Sequence, residues 1–117
     1  MKLNYEKQGA PDKGTAASDS KPAVILMHGI FGSLSNLGNL ARALSADYWV
    51  IAVDLRNHGD SPHEDSMTIP LMAGDIIELM DDLGLSEAHL VGHSLGGKIA
   101  MQIAQTWPQR VRSLVVA

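Results

Sequence analysis

The sequence predicts an α/β fold built on a mostly parallel sheet with helices on both faces. Short runs rich in Val, Ile and Leu alternate with longer stretches whose apolar residues recur at helical spacing, the pattern of parallel strands joined by crossover helices. The short runs are apolar almost throughout rather than at every second residue, which suits strands covered on both faces. The resulting order is strand, helix, strand, helix, strand, helix, strand.

Taken along the chain, residues 2–7 read as an outer antiparallel strand within a leading segment 1–8. Residues 9–21 (GAPDKGTAASDSK) are small and polar. They offer too little apolar surface to offset the entropy of ordering them, so a mobile loop is expected. The main unit then runs over 22–117, with buried strands expected at 23–28 (AVILMH), 48–55 (YWVIAVDL), 88–92 (AHLVG) and 111–117 (VRSLVVA). Leu34, Leu37, Ala41 and Leu44 trace a short helix after the first strand. The clearest helix spans 69–83, with Ile69, Met72, Ala73, Ile76, Met80 and Leu83 on one face. Thr68 can cap it, Pro70 is tolerated in its first turn, and Gly84 supplies the permissive residue past its end. A third helix over 95–107 stops before Pro108. Met27, Met67, Met72, Met80 and Met101 are too dispersed for a cofactor box and read as core filling.

Composition narrows the function classes. The 117 residues, 45% of them apolar, suffice for one domain with a core and not for two. A net charge of −4 gives no electrostatic footprint for nucleic acid. With no cysteine there is no disulfide framework, thiol nucleophile or thiolate metal site. The first nine residues, MKLNYEKQG, lack the apolar core of a secretory signal, and no apolar run approaches the ~18 residues that span a bilayer. A cytoplasmic protein without a membrane partner is the expectation; nothing in the sequence bears on oligomeric state.

The chemistry concentrates in two loops. Gly92-His93-Ser94-Leu95-Gly96 fits G-x-S-x-G at the end of a predicted strand and the start of a predicted helix, the context in which that pattern carries a nucleophile. Such a turn holds the serine in a strained backbone conformation, and Gly92 and Gly96 let strand and helix close around it. A helix that begins just after Ser94 aims backbone donors at the reaction centre, so the Leu95 amide is a candidate oxyanion donor. Gly97 allows that helix to approach the sheet. The second loop, His28-Gly29-Ile30-Phe31-Gly32-Ser33, follows the first buried strand, where a hydrolase needs its other oxyanion donor. In a parallel sheet both loops lie at the carboxyl ends of neighbouring strands, where ligands bind in open α/β folds.

The strings LMHGIFGSLSNLGNLAR, VDLRNHGDSPH and VGHSLGGKIAM, in this order, resemble the α/β-hydrolase superfamily, in particular its abhydrolase-type serine esterases and the small bacterial acyl-esterases that also act on thioesters. The resemblance covers the chain from about Pro22 onwards. It implies that Ser94 is the nucleophile and that the amides of Leu95 and Ile30 form the oxyanion hole, with Phe31 replacing Ile30 if the loop is rotated by one position. Gly29, Gly92, Gly96 and Gly97 are then the loop and elbow glycines. No metal and no cofactor is implied, and the substrate is a small acyl ester or thioester. His28, His93 and His58 are expected to be architectural, Asp54 and Arg56 to hydrogen-bond across their turn, and Asp75, Asp81 and Asp82 to lie on a solvated helix face.

A serine hydroxyl needs a histidine to take its proton and a carboxylate to orient that histidine. In the resembling fold these follow the serine in the chain, whereas no Asp, Glu or His follows Ser94 here. The expectation is therefore the front part of a larger esterase, ending in the strand after the elbow helix, with the isolated 117 residues inactive and only marginally soluble. Two alternatives stay open: a short α/β binding protein without catalysis, and another chemistry on the same scaffold (C–C hydrolase, perhydrolase or lyase).

Overall fold

The computed structural model describes residues 1–9 and 21–117, so the loop expected over 9–21 lies, apart from its two end residues, outside the described residues. Five strands form one sheet: β1 (Tyr5–Gln8), β2 (Ala23–Met27), β3 (Trp49–Val53), β4 (Ala88–Gly92) and β5 (Val111–Val116), in the order β1-β3-β2-β4-β5. β2, β3, β4 and β5 are mutually parallel, and β1 adds to the β3 edge antiparallel. Helices α1 (Gly38–Leu44), α2 (Ile69–Asp82) and α3 (Leu95–Thr106) make the crossovers. From β2 the chain moves outward to β3 and then crosses back to β4 on the other side. The carboxyl ends of β2 and β4 thus flank the point where the strand order reverses.

The continuous apolar runs follow from this layering. Successive strand residues point to opposite faces, so Ile25, Met27, Ile51, Val53 and Leu90 meet Met72, Ile76 and Met80 of α2 and Ile99 and Ile103 of α3 on one side. Val24, Leu26, Val50 and Ala52 meet Leu37, Ala41 and Leu44 on the other. Both faces of the central strands are covered, and alternation with polar residues would bury unpaired groups.

Most boundaries fall within a residue or two of those expected. Thr68 Oγ1 accepts from the Leu71 amide at 3.3 Å to cap α2, and Gly84 takes φ 71° just past its end. The segment expected as one helix over 34–44 is divided: Leu34–Leu37 is a 3-10 turn and α1 starts at Gly38. Met27, Met72 and Met80 are buried as expected, whereas Met67 and Met101 are 39% and 41% exposed and are not core filling. Among the described residues β5 pairs only with β4, and Leu114, Val115 and Val116 are exposed.

Two readings of charged residues are corrected. Asp81 and Asp82 lie exposed, but Asp75 is buried, because it borders the apolar stripe of α2 directly under the loop that follows β3. There Arg56 donates to it in a two-pronged pair, Nε to Oδ2 and a terminal nitrogen to Oδ1, each at 2.9 Å. Arg56 therefore pins its loop to α2 and does not bond Asp54. Removing one partner leaves the other charge with little access to water. Asp75→Ala is expected to cost about 3 kcal/mol in urea denaturation, with the Arg56→Met, Asp75→Leu double variant recovering most of that loss.

Candidate active site

β4 ends at Gly92 and α3 begins at Leu95, leaving His93 and Ser94 to reverse the chain. Ser94 has φ 53° and ψ −111°, a conformation that costs an L-residue on the order of 1–3 kcal/mol and persists only when its surroundings hold it. Four backbone bonds do so: His93 N to Met27 O (3.1 Å), Gly96 N to His28 O (3.2 Å), Ser94 N to Ala117 O (3.0 Å) and Ala117 N to Gly92 O (2.9 Å). The glycines permit the closure. A Cβ on Gly92 would sit on the Gly96 carbonyl, and one on Gly96 would sit on the Met27 and His28 carbonyls. A Cβ on Gly97 would meet Val116 Cγ1 at 2.7 Å. Ser94 itself is exposed.

The loop after β2 comes directly against this turn. A Cβ on Gly29 would lie 3.2 Å from the His93 ring and 3.5 Å from Ser94 Cβ. Gly32 N closes the loop onto Gly29 O at 3.0 Å, and Phe31 takes φ 61°, which leaves its ring 94% exposed. The loop's exit is tied by Ser33 N to Asn36 Oδ1 (2.9 Å) and Leu34 N to Asp54 Oδ1 (2.8 Å). Together loop and turn line an open cleft of about 470 Å³ that includes Gly29, Ile30, Phe31, Asn36, His93 and Ser94. Among the described residues, the amides of Ile30, Phe31 and Leu95 donate to no protein acceptor. Of the residues singled out from sequence, Gly29, Ile30, Phe31 and Ser94 thus share one cleft with Leu95 behind it. Gly92, Gly96 and Gly97 serve the packing beneath. Asn36 was missed; its signal was the Ser-x-x-Asn spacing from Ser33, a local cap that reads as helix punctuation.

Two buried polar residues tie together the loops around the cleft. His28 Nε2 accepts from the Leu55 amide at 3.0 Å, which leaves Nδ1 to carry the proton and donate to Gly29 O at 2.7 Å. Burial pushes its pKa below the ordinary 6.5, against the smaller opposing effect of the Gly29 carbonyl. Its ring lies 5.1 Å from that of His58, whose Nδ1 bonds the Arg56 carbonyl. For Asp54, burial alone would raise the pKa, but donation from Leu34 N, Asn4 Nδ2 and Asp60 N outweighs it and holds the carboxyl below its ordinary 3.8. The three donors come from the segment after β2, the residues before β1 and the loop after β3, so one carboxylate joins them.

Both shifts act in the same direction on stability. Below about pH 6.5 the unfolded chain takes up a proton at His28 more readily than the folded one, and below about pH 3.8 the same holds at Asp54. The contribution of each is full above the unfolded value and is lost as pH falls towards the folded one. The urea midpoint is therefore expected to drop as pH is lowered from about 7 to about 5, and His28→Gln is expected to flatten that drop. A midpoint independent of pH in the parent chain over this interval would contradict the assignment of His28 as buried and neutral.

An open, mostly parallel sheet in which an inner strand runs through a strained serine turn into a helix, facing a glycine loop from the neighbouring strand, is the architecture of the α/β hydrolases. The chain belongs to that family: residues 22–117 match the family model described as alpha/beta hydrolase fold. It is 41% identical over 115 residues to Esterase YbfF of Escherichia coli, covering 98% of this chain and 43% of that one. It is 45% identical over 96 residues to an sn-1-specific diacylglycerol lipase of Xenopus laevis, covering 80% and 31%. The solved structure of a marine microorganism esterase superposes with a TM-score of 0.89 at 34% identity, over 99% of this chain and 41% of that one. The chain thus spans 31% to 43% of the length of these two curated relatives. Among the described residues no helix is long and apolar enough to cross a membrane.

Proposed function

We propose that these residues form the nucleophile and oxyanion half of a serine hydrolase acting on carboxylic esters or thioesters. The observation that carries the reading is the strained turn at Ser94, which lines a cleft with the Ile30–Phe31 loop while the Ile30, Phe31 and Leu95 amides find no acceptor among the described residues. Donors fixed in advance around one point are what a developing oxyanion requires. The relatives named as an esterase and a lipase support the same chemistry.

In this reading Ser94 Oγ attacks the carbonyl carbon as its proton passes to a base. The oxyanion is held by the Leu95 and Ile30 amides; the C–O or C–S bond then breaks, and the alcohol or thiol leaves with the proton. Water attacks the acyl-enzyme, the acid departs and Ser94 regains its proton. Three of the histidines are tied into the scaffold. His28 has both ring nitrogens engaged, His58 bonds Arg56 O, and His89 bonds Ser113 Oγ on the sheet. No Asp, Glu or His follows Ser94 in these residues, and neither the orienting acid nor the histidine is assigned among them.

The test is covalent labelling of the full-length protein by a fluorophosphonate, followed by peptide mapping, beside hydrolysis of p-nitrophenyl butyrate. A single label on Ser94 that tracks loss of hydrolysis is expected. A label elsewhere, with hydrolysis intact in Ser94→Ala, overturns the reading. A folded protein with neither label nor hydrolysis favours a binding role without catalysis.

A further inference from the structure

In a trans peptide the N–H and the C=O point in opposite directions, and no cis peptide occurs among the described residues. Whatever holds the carbonyl of a peptide unit therefore aims its donor. The Leu95 amide shares its peptide with the Ser94 carbonyl, which accepts from Lys98 N at 3.1 Å in the first turn of α3, so the helix itself sets the direction. The Ile30 amide shares its peptide with the Gly29 carbonyl, and no helix follows at once; the next helical turn starts at Leu34. Two donors hold that carbonyl instead, Gly32 N at 3.0 Å and the His28 ring through Nδ1 at 2.7 Å. We propose that His28 is a positioning residue for the oxyanion hole: its Nδ1–H holds the Gly29 carbonyl against the protein and thereby turns the Ile30 N–H outward, towards the substrate's carbonyl oxygen. The inference rests on the reading of Ser94 as nucleophile and Ile30 as donor, and deepens it by naming what aims that donor.

Three observations support the assignment. The ring is fixed in both orientation and tautomer. Its Nε2 takes a bond from Leu55 N at 3.0 Å, and a backbone amide can only donate, so the proton sits on Nδ1 and faces Gly29. The same residue is anchored through its main chain, because Gly96 N donates to the His28 carbonyl at 3.2 Å. Secondly, the turn bond from Gly32 is not enough by itself. Phe31 holds φ 61°, a region that favours glycine, so the turn works against its own backbone strain, and Gly32 is half-exposed, where water competes for the bond. The His28 ring is buried and meets no such competition. Thirdly, the ring stays neutral. Burial, opposed by the Gly29 carbonyl and Asp54 and aided by His58, keeps its pKa below the ordinary 6.5, so Nε2 remains an acceptor and the proton on Nδ1 stays committed to Gly29. The peptide so held borders the nucleophile, since a Cβ on Gly29 would lie 3.5 Å from Ser94 Cβ.

Two amide substitutions separate the two bonds of the ring. The Asn side-chain amide reaches about as far as Nδ1 and can still donate to the Gly29 carbonyl, whereas the longer Gln amide reaches about as far as Nε2 and can still accept from Leu55 N. In the full-length protein with p-nitrophenyl butyrate, His28→Gln is expected to lower kcat by about 10- to 100-fold with KM little changed, short of the ~10²–10³ lost with an oxyanion donor itself. His28→Asn is expected to restore most of that kcat, although it gives up the Leu55 bond. The inhibition constant of a trifluoromethyl ketone, whose adduct with Ser94 carries an oxyanion, is expected to rise in step with the fall in kcat. A His28 that serves only to tie down the loop after β3 gives another order. His28→Gln then keeps as much activity as His28→Asn or more, and that result overturns the inference alone. If circular dichroism shows either variant unfolded, the tautomer of His28 in the parent protein, read from its ¹⁵N chemical shifts, decides: a proton on Nδ1 is expected, and one on Nε2 overturns the inference. Hydrolysis that survives in Ser94→Ala overturns the proposed function and this inference together.

Discussion

Replacing Ser94 by alanine in the full-length protein is expected to lower kcat for ester hydrolysis by about 10⁴- to 10⁶-fold, with KM little changed. In the proposed mechanism the loss is in kcat because the covalent bond to the substrate forms only on the way to the transition state, whereas binding would draw on Ile30, Phe31 and the other residues that line the cleft. The undonated amides of Ile30 and Leu95 would still polarise a bound carbonyl, so a small residual rate above that in water is expected. The same substitution should scarcely alter the melting temperature. The side chain is exposed, and alanine inherits the same strained φ of 53°. Ser94→Gly separates the two effects: activity is lost equally, while relief of strain adds roughly 1 kcal/mol of stability. A Ser94→Ala enzyme within tenfold of the parent would remove Ser94 from the chemistry.

Gly96→Ala is expected to be severely damaging for a single-methyl change, lowering stability by about 3 kcal/mol or more and activity by about a hundredfold. The added Cβ falls on the Met27 carbonyl and within 2.8 Å of the His28 carbonyl oxygen. Those atoms belong to the end of β2 and cannot rotate away as a side chain would. Helix α3 must therefore retreat from the sheet, carrying the Leu95 amide and Ser94 away from the Ile30 loop. Gly74→Ala in α2 is the matched control. Nothing lies within 4 Å of its added Cβ, and the gain in helix propensity should stabilise the protein by up to about 1 kcal/mol. The denaturation midpoints of the two variants should move in opposite directions, and kcat should fall in Gly96→Ala alone. Equal stabilities would mean that the close approach of α3 to β2 does not hold the site.

How much could be read in advance depended on whether a feature is set by neighbours in sequence or in space. Helix α2 was legible because its stripe, its Thr68 cap and the Gly84 stop all lie within one stretch of chain. β4 and the Gly92–Gly96 turn were legible for the same reason. Asp75 was misread because its surroundings are supplied by Arg56, from a loop that no periodicity in α2 encodes. Met67 and Met101 were misread because a methionine reads as apolar whichever way its face of the element turns. The division of 34–44 into a 3-10 turn and α1 was missed because Leu34 N is drawn to Asp54, a tertiary partner, rather than to the preceding helical turn.

The sequence by itself therefore determined the layered α/β plan, the order of its strands and helices, and the two loops that flank the cleft. These follow from hydrophobic periodicity, glycine placement and capping, all of which act over a few residues. Only the tertiary structure decided that Ile30, Phe31 and Ser94 face one another, that Asp54 ties together three segments, and that the His28 ring is fixed between Leu55 N and the Gly29 carbonyl. These depend on strand order and on the approach of backbones distant in sequence, which emerge once the sheet has assembled and its carboxyl ends lie side by side.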